Sequence, residues 1–256
     1  MGRGRIDVAE RICQVGAVRN SLMDHMKDAF AGADVSSYEE DLNRGLRLSG
    51  ESRDYFAHGR LSLLERQFRA GGHAVPLRIL DYGCAAGETT GLLADRWPGS
   101  SVTGVDVSDS LIAEAKAHIR RANCSFCTPS GLPAGAEYDL IYCNGVFHHI
   151  PPEERAGVLV WLRQRLAADG LFSLWENNCW NPGTRWVMSR VPFDRDAVPL
   201  SPFYALRMLK RAGFTPVAVD FAFIFPKSLR WLRPLEKGLC KLPLGAQYQV
   251  LSRHQP

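Results

Sequence analysis

A chain of 256 residues, 46% hydrophobic and 23% charged, has the size and composition of one packed domain with a small addition. Its net charge of +4 is too small and too scattered to build the phosphate-neutralising face of a nucleic-acid binder. Seven scattered cysteines, with Cys124-x-x-Cys127 lacking a second pair, predict free thiols in a reducing cytoplasm and no metal site. No apolar run reaches membrane-spanning length, and the first residues carry no apolar leader.

In chain order, Ile12, Val15, Val18, Leu22, Met26 and Phe30 recur at three- and four-residue spacing, which predicts an amphipathic helix. A break at Ser49-Gly50 precedes a second helix over 51–69, stopped by Gly71-Gly72. Residues 1–75 therefore read as a helical N-terminal cap or lid. From Leu77 the texture changes to short apolar runs alternating with helical segments. Strands are expected at 77–82, 101–107, 125–127, 138–143 and 171–175, with helices at 88–96, 108–121 and 152–168. Ser108 is placed to cap the second of these helices. Such alternation predicts an α/β fold, a parallel sheet with helices on both faces. Residues 177–199 hold Asn, Pro, Gly, Trp and Arg without periodicity, too long for a plain connector, so a lid-like insertion is expected at about 177–200. A helix at 201–212 and two closing strands at 215–225 and 246–253 complete residues 76–256. Between those strands Lys227, Arg230, Arg233, Lys237 and Lys241 recur beside Leu229, Trp231, Leu232, Leu235 and Leu239. This stretch reads as a solvated basic face over packed apolar residues, or as a surface for anionic lipid.

The segment that carries chemistry is Ile79-Leu80-Asp81-Tyr82-Gly83-Cys84-Ala85-Ala86-Gly87-Glu88. It is an apolar strand, an acid near its end, then a small-residue turn opening a helix. Small residues admit close backbone approach, and a helix N-terminus presents unpaired N–H groups. A dinucleotide site would read G-x-G-x-x-G; here Glu88 stands where the last glycine would fall. Asp81 adds a negative charge that a pyrophosphate would resist and a cation would welcome. S-adenosylmethionine (SAM), with a sulfonium and an ammonium against one carboxylate, fits that charge. One βα unit later, Asp106 ends the second strand, where a carboxylate can accept two ribose hydroxyls.

Residues 77–175 resemble the class I SAM-dependent methyltransferases, in particular the ubiquinone/menaquinone-methylase-like, small-molecule branch. The resemblance runs through LDYGCAAGETT, VTGVDVS, YDLIYCNGVFHHI and LAADGLFSLWENN in that order. It implies a Rossmann-like sheet, mostly parallel with an antiparallel C-terminal strand. SAM is the implied cofactor, with Asp81, Gly83, Cys84 and Gly87 at its methionine end. The same resemblance puts Asp106 and Val107 at the ribose and Asn144 beside the cofactor. Two departures stand out. Ala85 occupies a position where the family commonly has glycine, which should narrow the pocket without closing it. The adenine loop 127–133 lacks the usual acid, leaving Thr128 or Ser130 hydroxyls, or backbone, to hold the base.

Methyl transfer to a hydroxyl or acidic carbon calls for a base, whereas a neutral amine needs only orientation. His148 and His149 follow the fourth strand and admit two readings: they shape the turn beside the cofactor, or His148 is the general base. Glu176, Asn177 and Asn178 end the fifth strand at the same edge and read as acceptor contacts, with Glu176 grouped with His148 as catalytic. Trp180 and Arg185 in the insertion, Tyr38 and Tyr55 in the cap, and His149 are further candidate acceptor contacts. The expected function is methylation of a small-molecule acceptor at oxygen or nitrogen in a biosynthetic pathway. Methylation at carbon, a lipid-linked acceptor and a non-catalytic SAM-binding partner are the alternatives. A nicotinamide oxidoreductase is disfavoured by the glycine spacing and by Asp81.

Overall fold

The computed structural model describes residues 50–191 and 197–254. Ser52 caps α1 (Arg53–Ala70), its hydroxyl accepting from the Tyr55 amide. Then follow β1 (Arg78–Tyr82), α2 (Glu88–Arg96), β2 (Ser101–Val105), α3 (Asp109–His118), β3 (Cys124–Cys127) and β4 (Tyr138–Asn144). The second half comprises α4 (Arg155–Arg163), β5 (Leu166–Asn177), α5 (Pro182–Met188), α6 (Pro202–Arg211), β6 (Phe214–Ala222), α7 (Glu236–Leu239) and β7 (Gln247–His254). A 3-10 segment, Lys227–Leu235, precedes α7.

The seven strands lie in the order β3-β2-β1-β4-β5-β7-β6. All neighbours are parallel except β7, which runs antiparallel to both β5 and β6. The chain winds outward from β1 through β2 to β3, then returns to β4 on the other side of β1. The crevice between β1 and β4 is therefore the switch point at which open α/β sheets bind ligands.

Strand alternation explains the layers. Leu80 and Tyr82 of β1, with Ile141 and Cys143 of β4, face the core beneath α4 and α6. Ile79, Leu140, Tyr142 and Trp175 face the opposite core with Leu61, Leu64 and Phe68 of α1 and Leu93 of α2. Helix α1, grouped by sequence with a cap, thus forms part of the sheet's own core.

Several boundaries differ from the sequence reading. Strand β5 starts at Leu166, five residues before the expected 171, because Leu166 pairs with Tyr138 ahead of a register shift. Helix α4 is correspondingly shorter than 152–168. The stretch read as aperiodic contains α5, capped by Asn181, whose side chain accepts from the Thr184 amide at 3.0 Å, with Pro182 in the first turn. Its seven residues are too few for periodicity to register. Strand β6 ends at Ala222, three residues before the expected 225, because Phe223 takes a left-handed conformation with φ 62°. The predicted helix over 12–30 lies outside the described residues.

Candidate active site

The turn after β1 is fixed from both sides. The Gly83 and Cys84 amides both donate to the Val105 carbonyl, at 2.7 and 3.0 Å, tying the turn to the end of β2. Gly83 has φ 76°, and a Cβ there would stand 2.3 Å from Val146 Cγ2, so the β1 turn and the β4 exit meet across the crevice. Gly87, with φ 84°, opens α2, and a Cβ there would meet the Phe126 ring at 2.7 Å. Ala85 adopts φ 47°, a conformation uncommon outside glycine, and its amide donates to Asp106 Oδ2 at 3.0 Å. The Asp106 carboxylate closes the turn from outside, its Oδ1 also accepting from the Ser108 amide at 3.0 Å. An ionised carboxylate has about four acceptor positions, so these backbone amides leave room on it for a ligand.

Asp81 is buried on the α1 and α2 side of β1, and Thr90 donates to its Oδ2 at 2.7 Å. Burial pushes its pKa up to about 7; the Thr90 bond pulls down, the Asp106 charge pushes up, and Arg60 pulls down. Burial likewise pushes the Cys84 thiol well up, which keeps it protonated beside two acids.

A cavity of about 480 Å³ opens at the carboxyl ends of β1, β4 and β5. Gly83, Cys84, Ala85, Ala86, Asn144 and Gly145 form its floor, and α1, α5 and the residues after β6 form its walls. His148, His149, Tyr55 and Asn177 also line it. Val107 is packed in the core, and Thr128 forms a 3.0 Å hydroxyl pair with Ser130; neither, nor Asp106, reaches this cavity wall.

His148 is 4% exposed, and its Nδ1 lies 2.6 Å from Glu176 Oε2. The other oxygen of Glu176 accepts from the Phe147 amide at 2.9 Å. Glu176 is 1% exposed and does not line the cavity, because its carboxylate is turned under the His148 loop. It touches the His148 ring and the Phe147 amide. The His149 ring lies 4.0 Å from that of His148. Burial, and then the His148 charge, push the pKa of His149 down to about 3, so it stays neutral.

The other candidates divide. Asn177 is on the wall, its Oδ1 accepting from Gln247 Nε2. Asn178 is fully buried and serves the fold: it donates to the Pro243 and Gly245 carbonyls and accepts from the Trp180 amide. Trp180 is turned outward against Phe203, and Arg185 also falls outside the cavity lining. Tyr38 lies outside the described residues.

Sequence reasoning missed Arg60. This buried guanidinium donates to Tyr142 Oη at 3.1 Å and to Gln247 Oε1 at 3.0 Å, both neutral acceptors, and it lines the cavity. Among the described residues no carboxylate pairs with it, and a buried cation so placed is costly, so the arrangement is suited to an anion arriving with a ligand. The signal was present: Arg60 interrupts the apolar stripe of Phe56, Leu63 and Leu64 on α1.

A methyltransferase domain family matches residues 79–170, the span from β1 into β5. Over that span the chain is similar to methyltransferase domains. Malonyl-[acyl-carrier protein] O-methyltransferase of Acetivibrio thermocellus is 32% identical over 99 residues, covering 38% of this chain and 34% of that protein. Trans-aconitate 2-methyltransferase of Escherichia fergusonii is 30% identical over 152 residues, covering 54% of this chain and 58% of that protein. The chain thus spans from about a third to somewhat over half of these relatives' lengths. The plantazolicin methyltransferase BpumL, solved with SAH, superposes at TM-score 0.62 with 15% identity, covering 95% of this chain and 99% of its own. A protein of Pyrococcus horikoshii OT3 superposes at 0.58 with 17% identity, covering 80% and 93%. Both are likenesses of fold. Among the described residues no helix is long and apolar enough to cross a membrane.

Proposed function

We propose that the chain transfers a methyl group from SAM to a small-molecule acceptor at oxygen or nitrogen. The observation that carries this reading is the meeting of the Gly83–Ala86 turn, Asn144 and His148 around one cavity at the β1/β4 switch point. Residues 76–256 together with α1, which packs into the sheet's core, are proposed as the catalytic domain, with 177–200 as a lid.

The donor set suits the charges of SAM. Asp81 and Asp106 supply negative charge around the turn, and Arg60 supplies a cation that, among the described residues, has no carboxylate partner. In this reading Asp106 holds the ribose hydroxyls, Gly83 and Cys84 line the methionine arm and Arg60 receives its carboxylate. Thr128 is left to the adenine. The cofactor, when bound, supplies an electrophilic methyl on a sulfonium.

The chain's own residues hold the acceptor and manage its proton. With Glu176 ionised, His148 Nδ1–H donates to it, which fixes the tautomer with the lone pair on Nε2. An acceptor hydroxyl gives its proton to Nε2, and Glu176 offsets the charge that develops on the ring. Glu176 is thus a positioning residue for His148. An amine acceptor needs the wall residues Tyr55 and Asn177 for orientation more than it needs the base.

The test is turnover with methyl-labelled SAM and a panel of hydroxyl and amine acceptors. Label in any product with stoichiometric SAH supports the reading. SAM binding without label transfer to any acceptor favours a non-catalytic binding role.

A further inference from the structure

Aromatic side chains line part of the cavity. Phe56, Phe223, Phe225 and Trp186 face it, backed by Val187 and Val191. Phe223 is held there against local backbone preference, since φ 62° is a conformation a bulky side chain rarely takes. Its ring sits 4.8 Å from that of Phe56 and 5.7 Å from that of Tyr55, both edge-on. It fits because α1 has a glycine beneath it: a Cβ on Gly59 would be 2.5 Å from Phe223 Cε1. An aromatic side chain kept in a strained conformation, in a notch cut for it, on the wall of a ligand cavity is a specificity element.

The charged groups on that wall point the same way. Arg53 is ion-paired to Glu88 at 2.8 Å, and Glu51 to Arg233 at 2.6 Å. Arg60 is assigned above to the carboxylate of SAM. Asp54 is exposed at the rim, where it repels anions. Among the described residues, no cation of the lining is left for an acceptor that carries several carboxylates.

Resting on the methyltransferase reading, the geometry points to a neutral, flat acceptor, an aromatic or heteroaromatic hydroxyl or amine compound, gripped between Phe223 and Trp186. This departs from the substrate that names the trans-aconitate relatives. Ring-on-ring contact supplies the affinity, and the reacting heteroatom is directed inward toward His148 and the turn after β1.

Calorimetry on the full chain preloaded with SAH tests this, with 2-naphthol and trans-aconitate as probes. The expected result is that 2-naphthol binds and trans-aconitate binds more weakly. Trp186→Ala and Phe223→Leu should each weaken 2-naphthol about three- to tenfold, the scale of one lost aromatic contact, with SAH affinity unchanged. Leucine keeps the apolar bulk, so loss in that variant reports the ring; if it fails to fold, the exposed Trp186 site carries the test. Tighter binding of trans-aconitate, no binding of 2-naphthol, or unchanged 2-naphthol affinity in a folded variant overturns the proposal. Failure of the wild-type protein to bind SAH at all removes the methyltransferase reading itself, and this inference with it.

Discussion

Glu176 and His148 form a buried pair, Oε2 to Nδ1 at 2.6 Å, with the carboxylate also tied to the Phe147 amide. The carboxylate therefore fixes both the ring and the loop that carries it. Replacing Glu176 with Gln keeps the size but removes the negative charge that stabilises a protonated ring. Acceptor turnover for a hydroxyl substrate should fall by about 10²–10⁴, while SAM affinity stays near wild type. His148→Gln should match it, and the double variant should be little worse than either, because the two act as one unit. Steady-state kinetics with calorimetry separates the arms; collapse of SAM binding in either variant would place the pair in the cofactor scaffold.

Asp81 is expected to make SAM binding depend on pH. Its pKa is pushed from 3.8 to about 7 by burial, so the unliganded protein at mildly acid pH carries it largely protonated. A raised carboxyl pKa stabilises the fold fully below the unfolded value and loses that contribution as pH rises through the folded one. From this group alone, the unliganded protein should lose stability between about pH 4 and 7. SAM affinity should move oppositely, rising as the carboxylate forms around pH 7. Asp81→Asn should flatten that rise; a wild-type affinity independent of pH from 6 to 8 would mean that the Asp81 charge is not felt by the ligand.

Asp106 is expected to do two things at once. Its oxygens brace the Ala85 and Ser108 amides and offer further positions to ribose. Each hydrogen bond to a charged group contributes about 1.5–3 kcal/mol, so Asp106→Ala should weaken SAM binding more than tenfold. Asp106→Asn, which keeps one acceptor oxygen, should fall between. A folded Ala variant with wild-type SAM affinity would move the ribose elsewhere.

Gly83→Ala tests the closeness of the crevice. The left-handed backbone costs a side chain about 1–2 kcal/mol, and the new Cβ meets Val146 at 2.3 Å. Destabilisation of about 2–4 kcal/mol is expected, adding an overpacking cost. A second change, Val146→Ala, should recover part of it. Melting curves of the three variants decide.

The parallel core was legible because both faces of β1 and β4 are buried, giving continuous apolar runs, and because the Gly83–Gly87 turn announces close backbone approach. Ser108 was legible as a helix cap, and its hydroxyl accepts from the Leu111 amide. What escaped depended on long-range contacts. The role of Glu176 turns on a residue 28 positions away, and that of Asn178 on carbonyls more than 60 positions away. Neither leaves a local pattern, so three polar residues in a row looked alike although only Asn177 lines the cavity. Helix α5 escaped through its length, although Asn181-Pro182 carried a start signal that outweighs periodicity in so short a segment.

Whether the crevice between β1 and β4 is a SAM site is read by calorimetric titration of the purified chain with SAH and, separately, with NAD. One SAH should bind per chain, weakened by both Asp106→Ala and Arg60→Met, with no response to NAD. Binding of NAD with no response to SAH would contradict the SAM site.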